Sequence, residues 1–383
     1  MTNEISPPDS LCLHPEALRP GNRFTLLRDG AEAYPRMLGA IRGAQRSVHL
    51  ETYIFAEDAT GRRFAEALSE RARAGVEVRV VYDGVGSLGV SRDFFGAIRA
   101  AGARVIQFHP VLLSFAGFSY RRRDHRKLLV VDGRVGFVGG LNIARDYDSP
   151  EQGGLGWRDT HAEVEGPVVG DLERMFAELW DRERQSNPPV TPSPAPGPAE
   201  GGVPALVASS HVFQQRWEIV KHYVHAIRAA RRRVWIANPY FLPSRNVRVA
   251  LRKAARRGID VRVLLPGKAD SLAVQCAVRR LYAAYLRWGI RLFEWPGPMM
   301  HAKTAVIDGA WATVGSYNID HRSLMHNYEV TAVVLSPEFG GRLEAMFEED
   351  FGRSREVRQD EWRRRPWREK FLEDLFHTFR HLM

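Results

Sequence analysis

Residues 125–133 read His-Arg-Lys-Leu-Leu-Val-Val-Asp-Gly, and residues 301–309 read His-Ala-Lys-Thr-Ala-Val-Ile-Asp-Gly. Each run continues through five residues to a Gly-Gly or Gly-Ser pair (Gly139-Gly140, Gly315-Ser316) and then to Asn142 or Asn318. The copies stand at a constant offset of 176 residues. A single His-x-Lys is usually two residues of an ordinary buried strand, since short motifs recur by chance. Two copies in register, each with its asparagine, mean a duplicated unit, so the chain must fold as two similar halves.

The pattern around the motifs supports this. Helical periodicity over 31–42, 61–74 and 93–101 alternates with strand-like runs at 47–55, 76–82 and 104–108. Each motif then supplies two short apolar strands, 127–132 and 135–138 in the first copy, followed by a strand at 160–164 and a helix at 167–184. The order returns after residue 204, and Arg73-Ala74-Gly75-Val76-Glu77-Val78-Arg79-Val80 is echoed by Arg256-Arg257-Gly258-Ile259-Asp260-Val261-Arg262-Val263. The alternation predicts an α/β chain with mixed, mostly parallel sheets flanked by helices. The expected organisation is an irregular leader over 1–22, a first lobe over 23–186, a semi-extended and poorly ordered Pro-rich linker over 187–204, a second lobe over 205–350, and a basic amphipathic tail over 351–383.

Composition narrows the chemistry. Lys and Arg exceed Asp and Glu by 55 to 45, a net charge of +10, which favours polyanionic partners: nucleic acid or an anionic membrane face. Only six of the 55 basic residues are lysine, and two of these are Lys127 and Lys303. An arginine-rich chain that keeps lysine at both motif positions wants the compact ammonium there. Two distant cysteines suggest neither a disulfide framework nor a cysteine metal site. Residues 1–23 show no apolar run of a signal peptide, and no stretch reaches the roughly 18–20 apolar residues of a membrane span.

The motif residues suit phosphoryl chemistry. Histidine can attack phosphorus or move a proton near neutral pH. A lysine two residues along a strand points to the same face, so His125 converges with Lys127 and His301 with Lys303. Asn142 and Asn318 follow small-residue turns at Gly140 and Ser316, where backbone can approach a phosphate closely. Ser316 is either a phosphate-binding hydroxyl or a turn residue, since Gly140 holds the matching place. Two histidines on opposite sides of one phosphorus explain the doubling: one attacks while the other protonates the leaving alkoxide, then deprotonates the incoming hydroxyl. Lysines supply the positive charge, so no metal or cofactor is expected. Each nucleophilic ring needs its far nitrogen held, and Asp159 and Glu329 stand at matched positions, offset by 170. Asp132 and Asp308 end the motif strands, where tying down local backbone suits them better than direct reaction.

The doubled pattern resembles the phospholipase D superfamily, whose motif is HxKxxxxD followed by Gly-Gly/Ser and Asn. The likeness covers roughly residues 24–350. Within the superfamily the sequence looks most like bacterial cardiolipin synthases of the short type without N-terminal membrane helices, on Leu50-Glu51-Thr52-Tyr53-Ile54-Phe55, Tyr82-Asp83-Gly84-Val85-Gly86-Ser87, Trp157-Arg158-Asp159-Thr160-His161 and Ala312-Thr313-Val314-Gly315-Ser316-Tyr317-Asn318. The resemblance implies two pseudo-twofold α/β lobes with the site at their interface. It counts His125, Lys127, Asp132, His301, Lys303 and Asp308 as the catalytic set, with a phosphatidyl intermediate on His125 and His301 as acid/base. It implies phospholipid substrates (phosphatidylglycerol, with phosphatidylethanolamine as a further donor) and peripheral attachment to the cytoplasmic face of the bacterial membrane.

Two other readings compete. A hydrolase of the same superfamily, phospholipase or nuclease, differs only in how the pocket treats water. A nuclease would pair an arginine groove with stacking aromatics, and the uncharged segment His109–Tyr120 argues against nucleic acid. A binding protein with a dead site would not need every ionisable motif residue. Segment 109–120 reads either as a core strand with its loop or as a membrane-dipping loop, and the apolar face Phe371, Leu372, Leu375, Phe376, Phe379 and Leu382 as a packed or an interfacial helix.

Overall fold

Each motif ends in an Asp-Gly pair, and Asp-Gly between apolar runs is a strong signal for a tight hairpin. The computed structural model of the chain, which describes residues 8–110, 122–184, 186–210 and 215–378, has a hairpin at both places. Asp132 and Gly133 have φ of 55° and 65°, and Asp308 and Gly309 have 53° and 68°. Such left-handed pairs match the twist of the flanking strands.

The first half contributes Arg19–Arg28 (β1), Ser47–Thr52 (β2), Glu77–Asp83 (β3), Arg104–Phe108 (β4), Arg123–Asp124 (β5), Leu128–Val131 (β6), Val135–Gly139 (β7) and Thr160–Glu165 (β8). Its helices are Asp29–Gly43 (α1), Ala59–Arg73 (α2), Arg92–Ala100 (α3) and Val168–Glu183 (α4). The second half contributes Val203–Ser210 (β9), Arg233–Ala237 (β10), Asp260–Pro266 (β11), Arg291–Trp295 (β12), Thr304–Ile307 (β13), Trp311–Gly315 (β14), Asn327–Leu335 (β15) and Arg355–Glu356 (β16). Its helices are Glu218–Ala229 (α5), Arg245–Arg256 (α6), Leu272–Arg287 (α7), His321–Met325 (α8), Pro337–Arg353 (α9), Gln359–Arg364 (α10) and Trp367–Thr378 (α11).

Along the sheet the first half runs β1-β8-β7-β6-β2-β3-β4 and the second β9-β15-β14-β13-β10-β11-β12-β16. The two orders match over seven strands, with β16 added at the edge of the second half, and β1 pairs with β9 antiparallel at the seam. The sheet is mixed, as the alternation predicts, but its parallel share is smaller than expected. Only β2-β3-β4, β10-β11-β12 and the short pairing of β5 with β15 are parallel. The motif hairpins force β6-β7 and β13-β14 antiparallel, and these carry the neighbouring strands with them.

Three apolar cores follow from this order. One lies under α1, α2 and α3, and another under α5, α6 and α7. The third is shared: Val130, Val138 and Phe176 of the first half pack with Val306, Val314 and Phe347 of the second. The shared core fixes one half against the other, which a site made from both requires.

The chain departs from its sequence reading at both edges of this seam. The irregular leader ends sooner than residue 22, because Arg19 already begins β1. The Pro-rich tract, expected to be poorly ordered, is fastened to both neighbours, α4 and β1. Trp180 Nε1 donates to the Pro188 carbonyl (3.0 Å), Ser193 N to Glu173 (2.8 Å) and Ala199 N to the Gly21 carbonyl (2.8 Å), while Val190 is buried. Most of segment 109–120 lies outside the described residues, as do Phe379 and Leu382. α11 serves in part as a packed helix. Phe376 meets the second-half core and His377 bonds the Ala277 carbonyl, yet Trp367, Phe371, Leu372 and Leu375 stay exposed.

Candidate active site

The aspartates that end the motifs act on backbone. Asp132 accepts from the amides of Gln45, Arg46 and Ser47 (2.9, 2.7 and 2.9 Å), where the chain enters β2. Asp308 accepts from Arg231, Arg232 and Arg233 (2.8, 2.9 and 2.9 Å), where it enters β10. Each aspartate thereby locks its hairpin to the adjacent antiparallel strand, β2 or β10. Neither lines the cavity between the halves, so their place in the catalytic set is corrected to a structural one.

The motif histidines sit just before β6 and β13, and each is gripped by the other half. β5 pairs in parallel with β15, and His125 N donates to the Tyr328 carbonyl at 3.0 Å. In mirror fashion His301 N donates to the Arg158 carbonyl at 2.7 Å, and Arg158 N to the Met299 carbonyl at 2.9 Å. Arg158 is itself buried, with Nε and Nη2 on Asp350 of α9 at 3.0 and 2.7 Å.

This exchange brings the two matched carboxylates to the opposite histidines. Glu329 on β15 lies 3.0 Å from His125 Nδ1, and Asp159, just before β8, lies 2.8 Å from His301 Nδ1. Both rings line a cavity of about 410 Å³ between the halves. With Nδ1 held, Nε2 is the nitrogen left for chemistry.

Gly140 and Ser316 serve these carboxylates rather than a phosphate. A Cβ at Gly140 would stand 2.1 Å from Asp159 Oδ1, so only glycine leaves the carboxylate its place. Ser316 Oγ donates to Glu329 Oε2 at 2.5 Å and accepts from Val330 N at 3.0 Å. Their expected phosphate contact is therefore corrected: neither lines the cavity.

The asparagines differ from each other. Asn142 is engaged, donating to Tyr147 OH (2.7 Å) and accepting from Ile54 N (3.1 Å). Asn318 is 4 % exposed, lines the cavity, and its Oδ1 has no hydrogen-bond partner among the described residues. Such a buried amide is poised for a ligand.

The lysines stand behind the rings. Lys127 Nζ donates to the His125 carbonyl at 2.7 Å, and Lys303 Nζ bonds the His301 carbonyl while lying 2.9 Å from its Nδ1. Aromatic side chains that periodicity cannot tell from core residues complete the wall. The Tyr53 ring is 5.0 Å from that of His125, and Tyr147, Trp157 and Tyr240 lie 5.4, 6.0 and 6.4 Å from that of His301.

A family model described as "Cardiolipin synthase, PLD-like domain" matches residues 37–180 and 223–351, which contain both motifs. The chain belongs to this family. Among curated relatives it is 35% identical over 367 residues to a cardiolipin synthase of Geobacillus kaustophilus, covering 94% of this chain and 72% of the relative. It is 36% identical over 343 residues to the probable cardiolipin synthase YwiE of Bacillus subtilis, covering 88% and 67%. Among solved structures, the phosphatidylserine synthase of Haemophilus influenzae superposes with a TM-score of 0.72 at 12% identity, covering 97% of this chain and 94% of that one. That likeness speaks to the fold.

The electrostatics of this family member are unequal across its two halves. Burial lowers His301 to about 4, with Lys303 adding to it, and burial with Lys127 takes His125 well below its usual value. These shifts leave both rings neutral near pH 7. A phosphodiester anion between them would raise both, letting one carry a proton in the bound state. Burial raises Glu329 to about 7 against the pull of Lys127. Burial also works against charge on Asp159, but the His301 hydrogen bond and Lys303 outweigh it and hold that carboxyl below its ordinary value. Burial lowers Lys127 to about 7 and Lys303 to about 8.

These directions give a pH profile. Glu329 must be ionised to accept from His125, so kcat/KM falls as pH drops through about 7. The lysines must be charged, so it falls again as pH rises through about 7 to 8. With a donor whose leaving group needs no proton, so that protonation of His301 does not enter, a narrow bell centred between these limits is expected in rate measurements at sub-saturating substrate, its two limbs belonging to the coupled group. A flat profile from pH 6 to 9 would contradict it.

Proposed function

We propose that the chain is a phosphatidyltransferase that makes cardiolipin, taking a phosphatidyl group from one phospholipid and giving it to the terminal hydroxyl of phosphatidylglycerol. The observation that carries this is the pair of histidines, each anchored at Nδ1 by a carboxylate of the opposite half, facing one cavity. His125 Nε2 attacks phosphorus. A P–N bond forms, the P–O bond to the head group breaks, and His301 passes a proton to the leaving alkoxide. The freed alcohol leaves and phosphatidylglycerol enters. His301 takes the proton of its hydroxyl as the new P–O bond forms and the P–N bond breaks. Lys127 and Lys303, with the Nδ2–H of Asn318, stabilise charge on the non-bridging oxygens.

Lipid substrates require a membrane surface. No helix among the described residues is long and apolar enough to cross a membrane. Exposed leucines instead stand on two loops and at the start of α7, which also build the cavity wall. Leu272 lies between Ser271 and Ala273, which line the cavity. Leu155 N bonds the Arg145 carbonyl two residues before Trp157. Leu88 follows Ser87, whose hydroxyl accepts from Phe55 N beside Tyr53. Arg145 and Lys268 on the same loops are exposed and suit anionic head groups. We read this rim as the surface that rests on the cytoplasmic leaflet, with the exposed face of α11 as a second contact.

The test uses vesicles of head-group-labelled phosphatidylglycerol followed by lipid extraction and mass analysis. Cardiolipin and free glycerol in equal amounts are expected. Phosphatidic acid alone would make the protein a hydrolase instead. Each leucine moved from water into hydrocarbon is worth about 1.5–3 kcal/mol. The triple variant Leu88→Ser/Leu155→Ser/Leu272→Ser should therefore sediment with vesicles about 100-fold less tightly or worse. Unchanged sedimentation would remove the rim from the membrane contact.

A further inference from the structure

The two halves repeat the reacting groups almost perfectly, yet a phosphatidyl transfer is not symmetric. One side of the phosphorus receives the nucleophile, and the other receives an alcohol. Something in the cavity must tell the sides apart.

Five arginine or aspartate side chains line the cavity: Arg123, Asp146, Asp270, Asp320 and Arg322. Three are engaged. Arg123 pairs with Asp83 at 3.4 Å, Asp270 accepts from Tyr240 OH at 2.7 Å, and Asp320 caps Ser323 N at 2.7 Å. Asp146 and Arg322 have no side-chain hydrogen bond or ion pair among the described residues, and both are only half-buried. They also occupy the same place in the duplicated unit. Each follows its motif asparagine by four residues, Asn142 to Asp146 and Asn318 to Arg322. The duplication has kept the position and reversed the charge.

Their neighbours place them at different ends. Asp146 lies next to Tyr147 and its carbonyl accepts from Trp157 N at 2.9 Å; both aromatics touch the His301 ring. Arg322 is close enough to His125 to help depress its protonation, and its carbonyl accepts from His326 N at 2.8 Å, one residue before the cavity-lining Asn327.

We propose that this charge reversal polarises the cavity: Asp146 beside His301 forms the subsite for the alcohol, and Arg322 beside His125 holds the anionic phosphate of the phosphatidyl donor. The proposal rests on the transferase reading and adds to it which alcohols are accepted. A carboxylate beside the reacting hydroxyl accepts from a donor on the adjacent carbon. Glycerol and the glycerol end of phosphatidylglycerol carry such a donor as a hydroxyl, and ethanolamine carries it as an ammonium. A simple primary alcohol has none. Asp146 is thus a specificity residue for polyol or amino-alcohol head groups, and Arg322 a donor-binding one.

The experiment reads how one intermediate is shared between acceptors. The full chain is given a phosphatidyl donor with a nitrophenyl leaving group, in the presence of equimolar glycerol and 1-propanol, then ethanolamine and 1-propanol. The ratio of glycerol or ethanolamine product to propanol product depends on the acceptor step alone, so it is insensitive to a change in donor binding or in total rate. Wild type is expected to favour glycerol and ethanolamine. A hydrogen bond to a charged group is worth about 1.5–3 kcal/mol, so Asp146→Asn and Asp146→Ala should cut both ratios by about tenfold or more. Arg322→Gln should leave the ratios unchanged while raising the KM for the donor by about tenfold or more. An unchanged ratio in both Asp146 variants, or a ratio that moves with Arg322→Gln, overturns the polarised cavity. Phosphatidic acid as the sole product with every alcohol overturns the transferase reading itself, and the two failures are told apart by whether any alcohol product forms.

Discussion

His125→Ala is expected to lose cardiolipin formation by about 10⁴–10⁶-fold, the usual cost of removing a catalytic nucleophile, and to lose all covalent labelling with it. His301→Ala should lose transfer from phosphatidylglycerol by a comparable factor but keep the first half of the reaction with a donor whose leaving group needs no proton. A nitrophenolate departs without help, so the His301 variant should form the phosphohistidine from such a donor and then stall, because the incoming hydroxyl has no base. Rapid quenching into base, where a phosphohistidine survives, followed by digestion and mass analysis, would place the label on His125. Both rings have Nδ1 within 3.0 Å of a carboxylate and both line the cavity, so geometry alone is nearly even-handed. Label on His301 in the His125 variant would reverse the roles.

The near-symmetry was legible in the sequence because the duplicated motif preserves spacing, and spacing fixes local structure. The Asp-Gly pairs announce the hairpins, and small residues before Asn142 and Asn318 announce close packing. What the letters could not carry is which half serves which histidine. Asp159 and Glu329 stand at matched positions, and nothing local tells a carboxylate to reach across an interface. That choice is made by β5 pairing with β15 and by Arg158 pairing with Met300, contacts over some 140 to 200 residues of sequence. The seam strands were missed for a related reason. β1 opens with Arg-Pro-Gly-Asn and β9 emerges from a proline tract, so local propensity there speaks for a loop while pairing with β8 and β15 decides for a strand. Ser316 was ambiguous in the letters, and its hydroxyl proved to face Glu329 rather than the cavity. Asp146 and Arg322 carry a signal that was in the sequence, a matched position with opposite charge, but it acquires meaning only once both line one cavity.

Asp159→Asn and Glu329→Gln should each cost about 10³–10⁴-fold in turnover, although neither removes an atom that touches substrate. An amide keeps the shape of the carboxylate but presents a donor to Nδ1, which favours the tautomer with its proton on Nε2, the nitrogen that must attack or accept; an aspartate-to-asparagine change behind a catalytic histidine has that order of effect. The exchange between halves makes the two variants distinguishable. Glu329 is on β15 in the second half but holds His125 of the first, so Glu329→Gln should suppress covalent labelling even with the nitrophenyl donor, as His125→Ala does. Asp159→Asn should behave like His301→Ala, labelling and then stalling. The two should also differ in acid. Glu329 is raised to about 7 by burial, whereas Asp159 is held below its ordinary value by the His301 hydrogen bond and Lys303. Glu329→Gln therefore removes the group whose ionisation sets the acid limb of kcat/KM, and its residual activity should no longer fall as pH drops from 7 to 6. Asp159→Asn should keep that limb. If the phenotypes were exchanged, Glu329→Gln labelling normally and Asp159→Asn failing to label, the pairing of each carboxylate with the other half's histidine would not be the arrangement that acts in catalysis.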